Sequence, residues 1–524
     1  MATDFQVAAR KIASVNPATG ETLRELECAS ELEIHESVTR ARATQPAWFE
    51  LGVRRRIAVL KKFQRLLQEQ KSGVAKLITR EVGKPYVESL STEVIVALDA
   101  ARFLIENAFR LLKDEPLRHG NLTMKTKAGC LLREPYGVIG IISPWNYPFS
   151  IPAIETLAAL AAGNAVVIKP SEFTSLIVVQ LASLLQQAGV PKDVLQVVVG
   201  DGPTGSALVN SPVDKLVFTG SVPTGKRIAQ AAAARLLPVL LELGGKDPML
   251  VLEDANVDVA SSGAVWGAFV NAGQTCLSVE RCYVQRNLYQ PFLEACVQKT
   301  KQLRVGNGMN PETDIGPMIH ERQLHIVESQ VEDAKARGAR VLTGGSRLPE
   351  LGPNFYAPTI LADVTHDMRI MREETFGPVL PIMPFETEQQ AIQLANDSEY
   401  GLAASIWTRD SSRGEALARR INAGAVQVND TVSSFGISEA PHGGVKSSGI
   451  GRTHGRFGLE EMVRFKYVDS DRLPGMKRLW WYRYGASFTH QMEGILDLQF
   501  ARGAGRKLQG ALRSFGLFWS SKKL

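Results

Sequence analysis

The feature that most constrains the fold is a regular alternation of short apolar strands with helices between Val138 and Leu243. Helices are predicted over Ile151–Ala162 and Thr174–Gln187. The strands are predicted over Val138–Ser143, Asn164–Lys169, Val194–Val199, Lys215–Phe218 and Val239–Leu243. Short β-branched strands separated by helices are typical of a parallel sheet in an α/β protein. Such a sheet binds ligands at the carboxyl ends of its strands, so we expect a site in the loops that follow them.

A second strand–helix pattern begins after Cys276, and a chain of 524 residues is too long for a single core. We therefore expect two or more domains. Residues 31–113 show helical periodicity, with helix ends predicted near Gly73 and Gly83. Residues 117–136 alternate as a polar extended ribbon. Two interpretations of this ribbon are open: a projection towards another subunit, and an ordinary surface hairpin.

The composition excludes several classes of protein. The chain has no apolar run of about 18 residues and no secretory signal at its start, so we expect a soluble, cytoplasmic protein. The five cysteines are scattered, which indicates reduced thiols rather than a disulfide framework. Because Cys-x-x-Cys spacing is absent and the eight histidines form no cluster, we expect no metal site.

The net charge of +6 is concentrated at the C-terminus. Residues 475–524 contain nine Lys or Arg and two Asp or Glu, so the rest of the chain is close to neutral and gives no indication of nucleic-acid binding. Aromatic side chains lie among these basic residues, from Arg472 to Tyr484 and again at Phe518 and Trp519. This pattern is typical of a peripheral membrane contact through 472–524. Packing on the body or on a neighbouring subunit is the alternative.

Two Gly-containing loops carry a carboxylate and a thiol. Glu242 lies in Leu-Glu-Leu-Gly-Gly-Lys at a strand end, and Cys276 lies in Gly-Gln-Thr-Cys after a helix predicted over Val257–Val270. A buried structural thiol is the usual interpretation of a cysteine, and Cys282, in a strand pattern, fits it. Cys276 fits it poorly because its neighbours are polar and turn-forming. A thiol nucleophile with a carboxylate base is the minimum equipment for acyl transfer to water.

A third polar group, Asn146, follows a predicted apolar strand. It lies in Pro-Trp-Asn-Tyr-Pro, between aromatic residues and prolines. A lone Asn in a turn is usually structural, but an amide N–H at a strand end can also donate to a developing oxyanion.

Two Gly-rich turns are candidates for a phosphate site. The segment Gly200-Asp-Gly202-Pro-Thr-Gly205 matches G-x-G-x-x-G literally, but its helix is short and no acidic residue lies about 20 residues further on. The turn Gly220-Ser221-Val-Pro-Thr-Gly225 is better placed, because it opens an alanine-rich helix over Lys226–Arg235. The helix start would present free N–H groups to an anion. A plain helix start is the alternative.

Lys169 and Glu172 close another strand in Lys-Pro-Ser-Glu. A carboxylate in this place can accept hydrogen bonds from both ribose hydroxyls, while the ammonium group adds a donor. Glu172 would repel a 2′-phosphate, which favours NAD over NADP. An ordinary surface turn is the alternative.

Taken together, these motifs resemble the NAD(P)-dependent aldehyde dehydrogenase superfamily over about residues 14–469. In chain order they are Pro-Trp-Asn-Tyr-Pro, Lys-Pro-Ser-Glu, Phe-Thr-Gly-Ser, Leu-Glu-Leu-Gly-Gly-Lys, Gly-Gln-Thr-Cys and Glu-Glu-Thr-Phe-Gly-Pro-Val. The resemblance implies a homodimer or homotetramer with a Rossmann-like cofactor domain and an α/β catalytic domain. The implied divisions are a cofactor domain at 1–116 and 137–243, a catalytic domain at 244–443, a β-ribbon oligomerisation arm at 117–136 and 456–469, and a basic aromatic extension at 470–524.

The resemblance also implies roles for individual residues. Cys276 matches the nucleophile, Glu242 the general base, and Asn146, with the backbone N–H of Cys276, the oxyanion hole. The residues expected to contact NAD, with NADP as the open alternative, are Trp145, Lys169, Glu172, Gly202, Gly220, Ser221, Gly225, Glu374 and Phe376. We expect amide dipoles and the nicotinamide charge to lower the pKa of the thiol.

The reaction implied is oxidation of an aldehyde to a carboxylic acid through a thiohemiacetal and then a thioester on Cys276. Retention of Glu242 favours hydrolysis over transfer to coenzyme A. An apolar aliphatic or aromatic aldehyde is the expected substrate. Succinate semialdehyde is the alternative that an arginine in the substrate tunnel would favour, and Arg281 is near the nucleophile in sequence only. A non-catalytic scaffold on the same fold is a third alternative.

Overall fold

The structure, a computed structural model, describes residues 10–475, 478, 480–482 and 484–515. These residues form two compact units. The body contains residues up to Leu111 together with Pro135–Val463, and the arm unit contains Leu112–Glu134 together with residues from Arg464 onward. The sites discussed below lie within one unit or the other.

The N-terminal segment forms a hairpin followed by long helices. Its capping box at Ser30 and Glu33 fixes the start of the first helix, because each side chain accepts a hydrogen bond from the backbone N–H of the other residue. The elements up to residue 135 are β1 (Lys11–Val15), β2 (Thr22–Glu27), α1 (Glu31–Glu50), α2 (Val53–Val82), α3 (Tyr86–Glu88), a π-helix (Ser89–Val94), α4 (Ile95–Leu111), β3 (Glu115–Leu117), a 3₁₀ turn (Leu122–Met124) and β4 (Lys127–Pro135).

The predicted strand–helix alternation forms a parallel sheet of five strands in the order β9-β8-β5-β6-β7. Every residue of its central strand is buried, as expected for a parallel strand covered by helices on both faces. The elements are β5 (Val138–Ile142), α5 (Ser150–Ala162), β6 (Ala165–Lys169), α6 (Ser175–Ala188), β7 (Leu195–Val197), α7 (Gly202–Asn210), β8 (Lys215–Thr219), α8 (Val222–Ala233) and β9 (Val239–Glu242). The α/β class with a parallel sheet is thereby confirmed.

A second sheet of seven strands has the order β12-β13-β14-β11-β10-β15-β16 and is parallel except for the β12–β13 pair. Its helices and strands enclose a separate apolar core. The elements are β10 (Asp247–Val251), α9 (Val257–Phe269), a 3₁₀ turn (Val270–Gly273), β11 (Val279–Gln285), α10 (Arg286–Lys301), α11 (Glu321–Ala336), β12 (Arg340–Thr343), β13 (Thr359–Ala362), α12 (Arg369–Arg372), β14 (Val379–Phe385), α13 (Glu388–Asn396), β15 (Ala403–Trp407), α14 (Ser411–Ala418) and β16 (Ala425–Val428).

The chain then returns to the first sheet and continues into the arm unit. The remaining elements are two 3₁₀ turns (Ser433–Gly436 and Lys446–Ser448), β17 (Gly449–Ile450), α15 (Gly455–Glu460), β18 (Val463–Asp471), α16 (Ala486–Phe500) and α17 (Ala504–Ser514). Strand β17 pairs antiparallel with β9 and becomes the sixth strand of the first sheet. In the arm unit, β18, β4 and β3 form a three-stranded sheet in that order.

Several boundaries differ from the sequence predictions. The ribbon predicted at 117–136 is extended only at Leu117 and over Lys127–Pro135, because Leu122–Met124 form a 3₁₀ turn. Helix α2 continues through Gly73, where a helix end was predicted, and stops only at the left-handed cap Gly83. A mid-helix glycine costs about 1 kcal/mol relative to alanine, and burial of the flanking apolar residues of α2 outweighs that cost. Helix α8 begins at Val222, four residues before the predicted start at Lys226. The arm strand predicted from residue 456 begins at Val463, because 455–460 form the short helix α15.

No helix among the described residues is long and apolar enough to cross a membrane. The division into a cofactor domain and a catalytic domain stays a prediction. The two sheets nevertheless separate near residue 243, where β9 ends and the chain crosses to β10.

Candidate active site

The loop that carries Cys276 has an unusual backbone. Helix α9 ends at Phe269, and three successive residues then adopt the left-handed region, with φ of 53° at Asn271, 55° at Ala272 and 72° at Gly273. Left-handed backbone is unfavourable for residues that carry a Cβ, so neighbouring contacts must hold it. A side chain at Gly273 would collide with the backbone of Gly377, which explains why glycine is required there.

Hydrogen bonds to Gln274 hold this loop. Its side-chain amide donates to the carbonyl of Asn271 at 2.9 Å, and its side-chain oxygen accepts from the backbone N–H of Ile319 at 2.9 Å. The hydroxyl of the next residue, Thr275, lies 2.8 Å from that of Tyr147. The backbone that leads to Cys276 is therefore tied to two other parts of the body, at Tyr147 after β5 and at Ile319 before α11.

Asn146 is part of the same network. It follows β5, its side-chain Nδ2 donates to the carbonyl of Gln274 at 3.0 Å, and its own carbonyl accepts from Lys84 Nζ at 2.7 Å and from the Asn271 amide at 3.1 Å. One N–H of the Asn146 amide remains for a ligand. Lys84 in turn forms a buried ion pair with Glu93 at 2.8 Å. Sequence reasoning missed this buried pair because Gly83-Lys84-Pro85 indicated only a helix end.

Glu242 has a different environment. It ends β9, is 5% exposed, and neither of its carboxylate oxygens has a hydrogen-bond partner among the described residues. The nearest base is His442, whose Nε2 lies 3.8 Å from Oε2. Burial, followed by the charge of Glu155, raises the pKa of Glu242 well above its usual value. A carboxyl group held in this way can act as a proton acceptor near neutral pH.

The three predicted catalytic residues line one cavity, which we call the central cavity, of about 840 Å³. Eight of the twelve predicted site residues contribute to its wall. They are Trp145, Asn146, Gly220, Ser221, Glu242, Cys276, Glu374 and Phe376. The thiol, the amide and the carboxylate come from different elements of the chain, and the fold brings them together.

A second cavity, the apolar cavity, also reaches Cys276. It measures about 800 Å³, and none of the described residues that line it carries a formal charge. Its wall includes Val96, Tyr147, Trp266, Val270, Leu277 and Phe435. Arg281 is not part of this wall, because its guanidinium donates to the backbone carbonyls of Lys246, Leu394 and Ala395.

A third opening, the strand-end cleft, lies at the carboxyl ends of the first sheet and measures about 1290 Å³. It shares Trp145 and Gly220 with the central cavity and is also lined by Lys169, Glu172 and Gly202. Both Gly-rich turns identified in the sequence therefore border the same cleft.

The groups in the strand-end cleft fit a dinucleotide. Lys169 Nζ lies 3.6 Å from Glu172 Oε2, so a cation and a carboxylate meet where ribose hydroxyls could bind. Ser221 precedes α8, and its hydroxyl bonds Thr224 at 3.1 Å rather than capping the helix. The first N–H groups of α8 thus remain available to a phosphate. Gly225 packs against Leu243, where any side chain would collide with the leucine.

Glu374 and Phe376 border the central cavity from the second sheet. Glu374 accepts a hydrogen bond from the backbone N–H of Gly245 at 3.0 Å, and burial raises the pKa of Glu374 to about 8. The ring of Phe376 meets Trp145 edge to face at 5.4 Å between centroids. A side chain at Gly245 would collide with the carbonyl of Cys276, so this glycine permits the close approach of the two loops.

The charged side chains around the thiol were not predicted from the sequence. Burial raises the pKa of Cys276 above its usual value, and the nearest charged side chains raise it further because all are acidic; they are Asp247, Glu242 and Glu374. The chain by itself therefore holds the resting thiol neutral. A thiolate requires either a proton acceptor or a nearby positive charge. The described residues contain no group of three His, Cys, Asp or Glu side chains able to hold a metal ion.

Comparison with known proteins gives a consistent result. The sequence model of the aldehyde dehydrogenase family matches residues 5–468. A curated relative, the 4,4'-diapolycopene aldehyde oxidase of Methylomonas sp, is 39% identical over 516 residues, covering 97% of this chain and 95% of its own length. The mitochondrial succinate-semialdehyde dehydrogenase of Oryza sativa subsp. japonica is 39% identical over 457 residues, covering 86% and 85%.

Among solved structures, the NAD+ complex of an aldehyde dehydrogenase from Bacillus cereus superposes with a TM-score of 0.85 at 36% identity. The match covers 88% of this chain and 93% of that one.

Proposed function

The chain belongs to the aldehyde dehydrogenase family, and from this premise we propose that it oxidises an apolar aldehyde to the carboxylic acid with NAD and water. One observation carries the proposal: Cys276 lines both the uncharged apolar cavity and the central cavity, and the central cavity shares Trp145 and Gly220 with the strand-end cleft that suits a dinucleotide. An apolar substrate could thus approach the thiol from one side while the cofactor lies on another. The chain is accordingly an oxidoreductase that acts on the aldehyde group.

The residues divide the reaction between them. The Cys276 thiol loses its proton to solvent and Sγ attacks the aldehyde carbon, while the Asn146 amide and the Cys276 backbone N–H stabilise the oxyanion that forms. Bound NAD would supply the hydride acceptor and a positive charge beside the thiol. Glu242 takes a proton from the water that attacks the resulting thioester, and the C–S bond breaks to release the acid.

Glu242 also determines the acyl acceptor. Its carboxylate borders the same cavity as Cys276, so it can activate water at the thioester. We propose hydrolysis rather than transfer to coenzyme A. Product analysis tests this point: free carboxylic acid is expected, and a rate that rises with added coenzyme A would contradict it.

The contents of the strand-end cleft favour NAD over NADP. Glu172 would lie beside the adenosine ribose, and its carboxylate would repel a 2′-phosphate. The variant Glu172→Gln should reduce this preference. Kinetics with both cofactors test the assignment, and a wild-type preference for NADP would contradict it.

Two substrate classes remain to be separated. Relatives named succinate-semialdehyde dehydrogenases share 39% identity, which favours a small acidic aldehyde. The apolar cavity argues against that class, because its described lining offers no cation for the distal carboxylate. The diapolycopene aldehyde oxidase relative, whose name denotes a long hydrocarbon aldehyde, agrees with the apolar cavity.

A panel of linear aldehydes tests the substrate class. Since each buried methylene contributes about 0.8 kcal/mol, kcat/KM should rise roughly fourfold per carbon until the cavity is full. The variant Trp266→Arg, which places a cation in the apolar cavity, should lower this slope and increase turnover of succinate semialdehyde. A flat chain-length profile in the wild type, with succinate semialdehyde preferred, would refute the apolar assignment.

We also propose that the extension binds a membrane surface. Helices α16 and α17 form a tight hairpin in which Gly494 and Gly510 approach each other so closely that a Cβ on Gly510 would lie 2.6 Å from the Gly494 carbonyl. The hairpin leaves apolar residues exposed on α17 and just after it: Leu508 at 64%, Leu512 at 70% and Phe515 at 70%.

Basic side chains accompany this apolar face, at Arg506, Lys507 and Arg513 in the same helix. An amphipathic helix of this kind suits the boundary of an anionic bilayer. Phe518 and Trp519, which are part of the predicted membrane contact, lie outside the described residues. The alignment to the diapolycopene aldehyde oxidase covers 97% of this chain, which requires most of the extension to be included. The succinate-semialdehyde dehydrogenase alignment covers only 86%.

Vesicle co-sedimentation tests the membrane proposal. Leu512→Glu should lose most binding to vesicles that contain phosphatidylserine. The matched change Val179→Glu, at an exposed apolar residue of the body, should not. Unchanged binding of a chain ending at Asp471 would reject the proposal. A hairpin that packs on a neighbouring subunit instead would show as a change of mass in light scattering.

The arm unit also offers a surface for self-association. Strand β18 is an edge strand whose residues are mostly exposed, including Phe465 and Tyr467. Unpaired apolar edges are ready to pair with another chain. We propose a homodimer or homotetramer assembled through this edge. A monomeric mass in solution would contradict it.

A further inference from the structure

Glu155 is a second buried carboxyl group beside the proposed base, and no step described above uses it. It lies on α5, is 2% exposed, and its Oε1 accepts a hydrogen bond from the Thr219 hydroxyl at 3.2 Å. Its other oxygen, Oε2, has no partner among the described residues. A buried carboxyl group without full hydrogen bonding is costly, so its presence calls for a reason.

The fold places Glu155 next to Glu242 through Thr219. Strands β8 and β9 pair in parallel with Thr219 opposite Glu242. Paired residues of neighbouring strands project to the same face of a sheet. The hydroxyl that holds Glu155 therefore lies beside the Glu242 side chain, and the charge of Glu155 is the largest electrostatic influence on Glu242.

Two small cavities meet at Glu155. The inner cavity contains Cys276, Glu242 and Glu155 in its wall. The distal cavity is lined by Glu155 and Ser438. Glu155 and His454 belong to both walls, and each cavity has room for about one water molecule.

Unpartnered polar atoms face these cavities. They are the carboxylate oxygens of Glu242 and Oε2 of Glu155, which are buried and have no hydrogen-bond partner among the described residues. His454 and Ser438 also contribute to the cavity walls, and Ser438 interacts with Asp99. Buried polar groups of this kind are normally satisfied by internal water. These polar groups line two cavities that share Glu155 and His454, and the distal cavity shares none of its described lining residues with the apolar cavity.

We propose that Glu155 exchanges protons with Glu242 through water in the inner cavity and so restores the base between turnovers. The proton that Glu242 takes from the attacking water passes to the ionised Glu155, and from there along the distal cavity. Glu242 regains its carboxylate form, and Glu155 becomes neutral until it releases the proton to solvent water. Glu155 acts only through Glu242 and is therefore a positioning residue. The inference rests on the proposed function of Glu242.

Among the described residues, the titratable groups that act on the pair include Cys276, which lies in the wall of the same inner cavity. Glu242 faces His442 and is also influenced by Arg452 and Glu461. Burial lowers the pKa of His442 to about 3 and that of His454 to about 4, so both imidazoles are neutral near pH 7. Glu155, whose pKa burial raises to about 8, is then the group that can ionise in the working range.

Hydrolysis of p-nitrophenyl acetate without cofactor tests this inference. Acylation of Cys276 releases a burst of nitrophenolate, and deacylation through Glu242 sets the steady rate. Glu155→Gln should keep the burst and lower the steady rate roughly tenfold, less than the 10²–10⁴ typical of a direct general base. The rise of that rate with pH should move to lower pH, because the neighbouring negative charge that raises the pKa of Glu242 is gone. Glu155→Asp should restore most of the rate.

Glu81→Gln is the matched control. Glu81 is also buried, but it binds Ser14 and two backbone N–H groups at the start of α6, far along the chain from Glu242. It should leave the pH midpoint unchanged. If Glu155→Gln does not fold, Thr219→Val removes the hydroxyl that holds Glu155 and should move the midpoint the same way by less. Steady rates and midpoints like the wild type in both variants would overturn the inference, whereas a wild type without a burst would refute the role of Cys276 instead.

Discussion

The groups on the two sides of Cys276, which we call the oxyanion flank and the base flank, differ in their hydrogen bonding. On the oxyanion flank, the Asn146 amide and its neighbours Gln274, Asn271 and Lys84 are joined by hydrogen bonds of 2.7–3.2 Å. On the base flank, the carboxylate oxygens of Glu242 have no such partners in the part of the chain that the structure describes. The first flank fixes a geometry, as stabilising a developing charge requires. The second keeps its groups free to bind water and pass protons.

Removing the sulfur should have the largest effect, because both flanks act on it. We expect Cys276→Ala to reduce aldehyde oxidation to background, while NAD binding measured by fluorescence titration persists. The strand-end cleft does not contain Cys276, so cofactor affinity should change little. Measurable turnover by this variant would mean that the nucleophile is elsewhere.

The oxyanion flank should be next in effect. Asn146→Ala removes the side-chain donor and should lower the rate of acylation about 10²–10³-fold. Asn146→Asp, which keeps the size but removes the donor, should be at least as harmful because it adds a negative charge. Rapid-quench measurement of the first turnover checks this prediction. If only deacylation were slowed, the proposed role of Asn146 in stabilising the oxyanion during acylation would be contradicted.

On the base flank, Glu242→Gln should slow deacylation about 10²-fold or more and leave a detectable acyl-enzyme. Because the amide has nearly the same shape, folding should be unaffected. A thermal melt is the control, and a midpoint within a degree or two of the wild type is expected. Steady deacylation of this variant at the wild-type rate would show that another group activates water.

The pH dependence should be the smallest of these effects. Burial raises the pKa of Glu242, so its neutral form persists to higher pH than in a solvent-exposed glutamate. Only the ionised form accepts a proton, and deacylation should therefore rise with pH and then level off. In Glu242→Gln this rise should disappear. A wild-type rate that falls with pH over the same range would contradict the assignment.

The same contrast explains what the sequence could predict. Cys276, Glu242 and Asn146 lie in short motifs at strand and helix ends, so local signals located them. Some residues that contact these three in the folded protein do not lie in the same motifs. Lys84 reaches Asn146, and His442 approaches Glu242, only because distant segments meet in three dimensions.

The raised pKa of the Cys276 thiol is another property that the sequence could not predict. An acidic environment for Cys276 depends on Asp247 and Glu374 converging on it, and their spacing in the sequence gives no sign of that. Local propensity also failed at Gly73, where packing carried α2 through a residue that disfavours helix. Short motifs thus located the catalytic residues from the sequence. The charges and packing contributed by distant segments could not be predicted in this way.

Mass spectrometry of Glu242→Gln, mixed with NAD and a long-chain aldehyde and quenched in acid, tests the central claim most directly. The account predicts that the peptide containing Cys276 gains the mass of the acyl group, and that the wild type, treated in the same way, gains little. An acyl group on another residue, or none on either protein while NADH is formed, would contradict it.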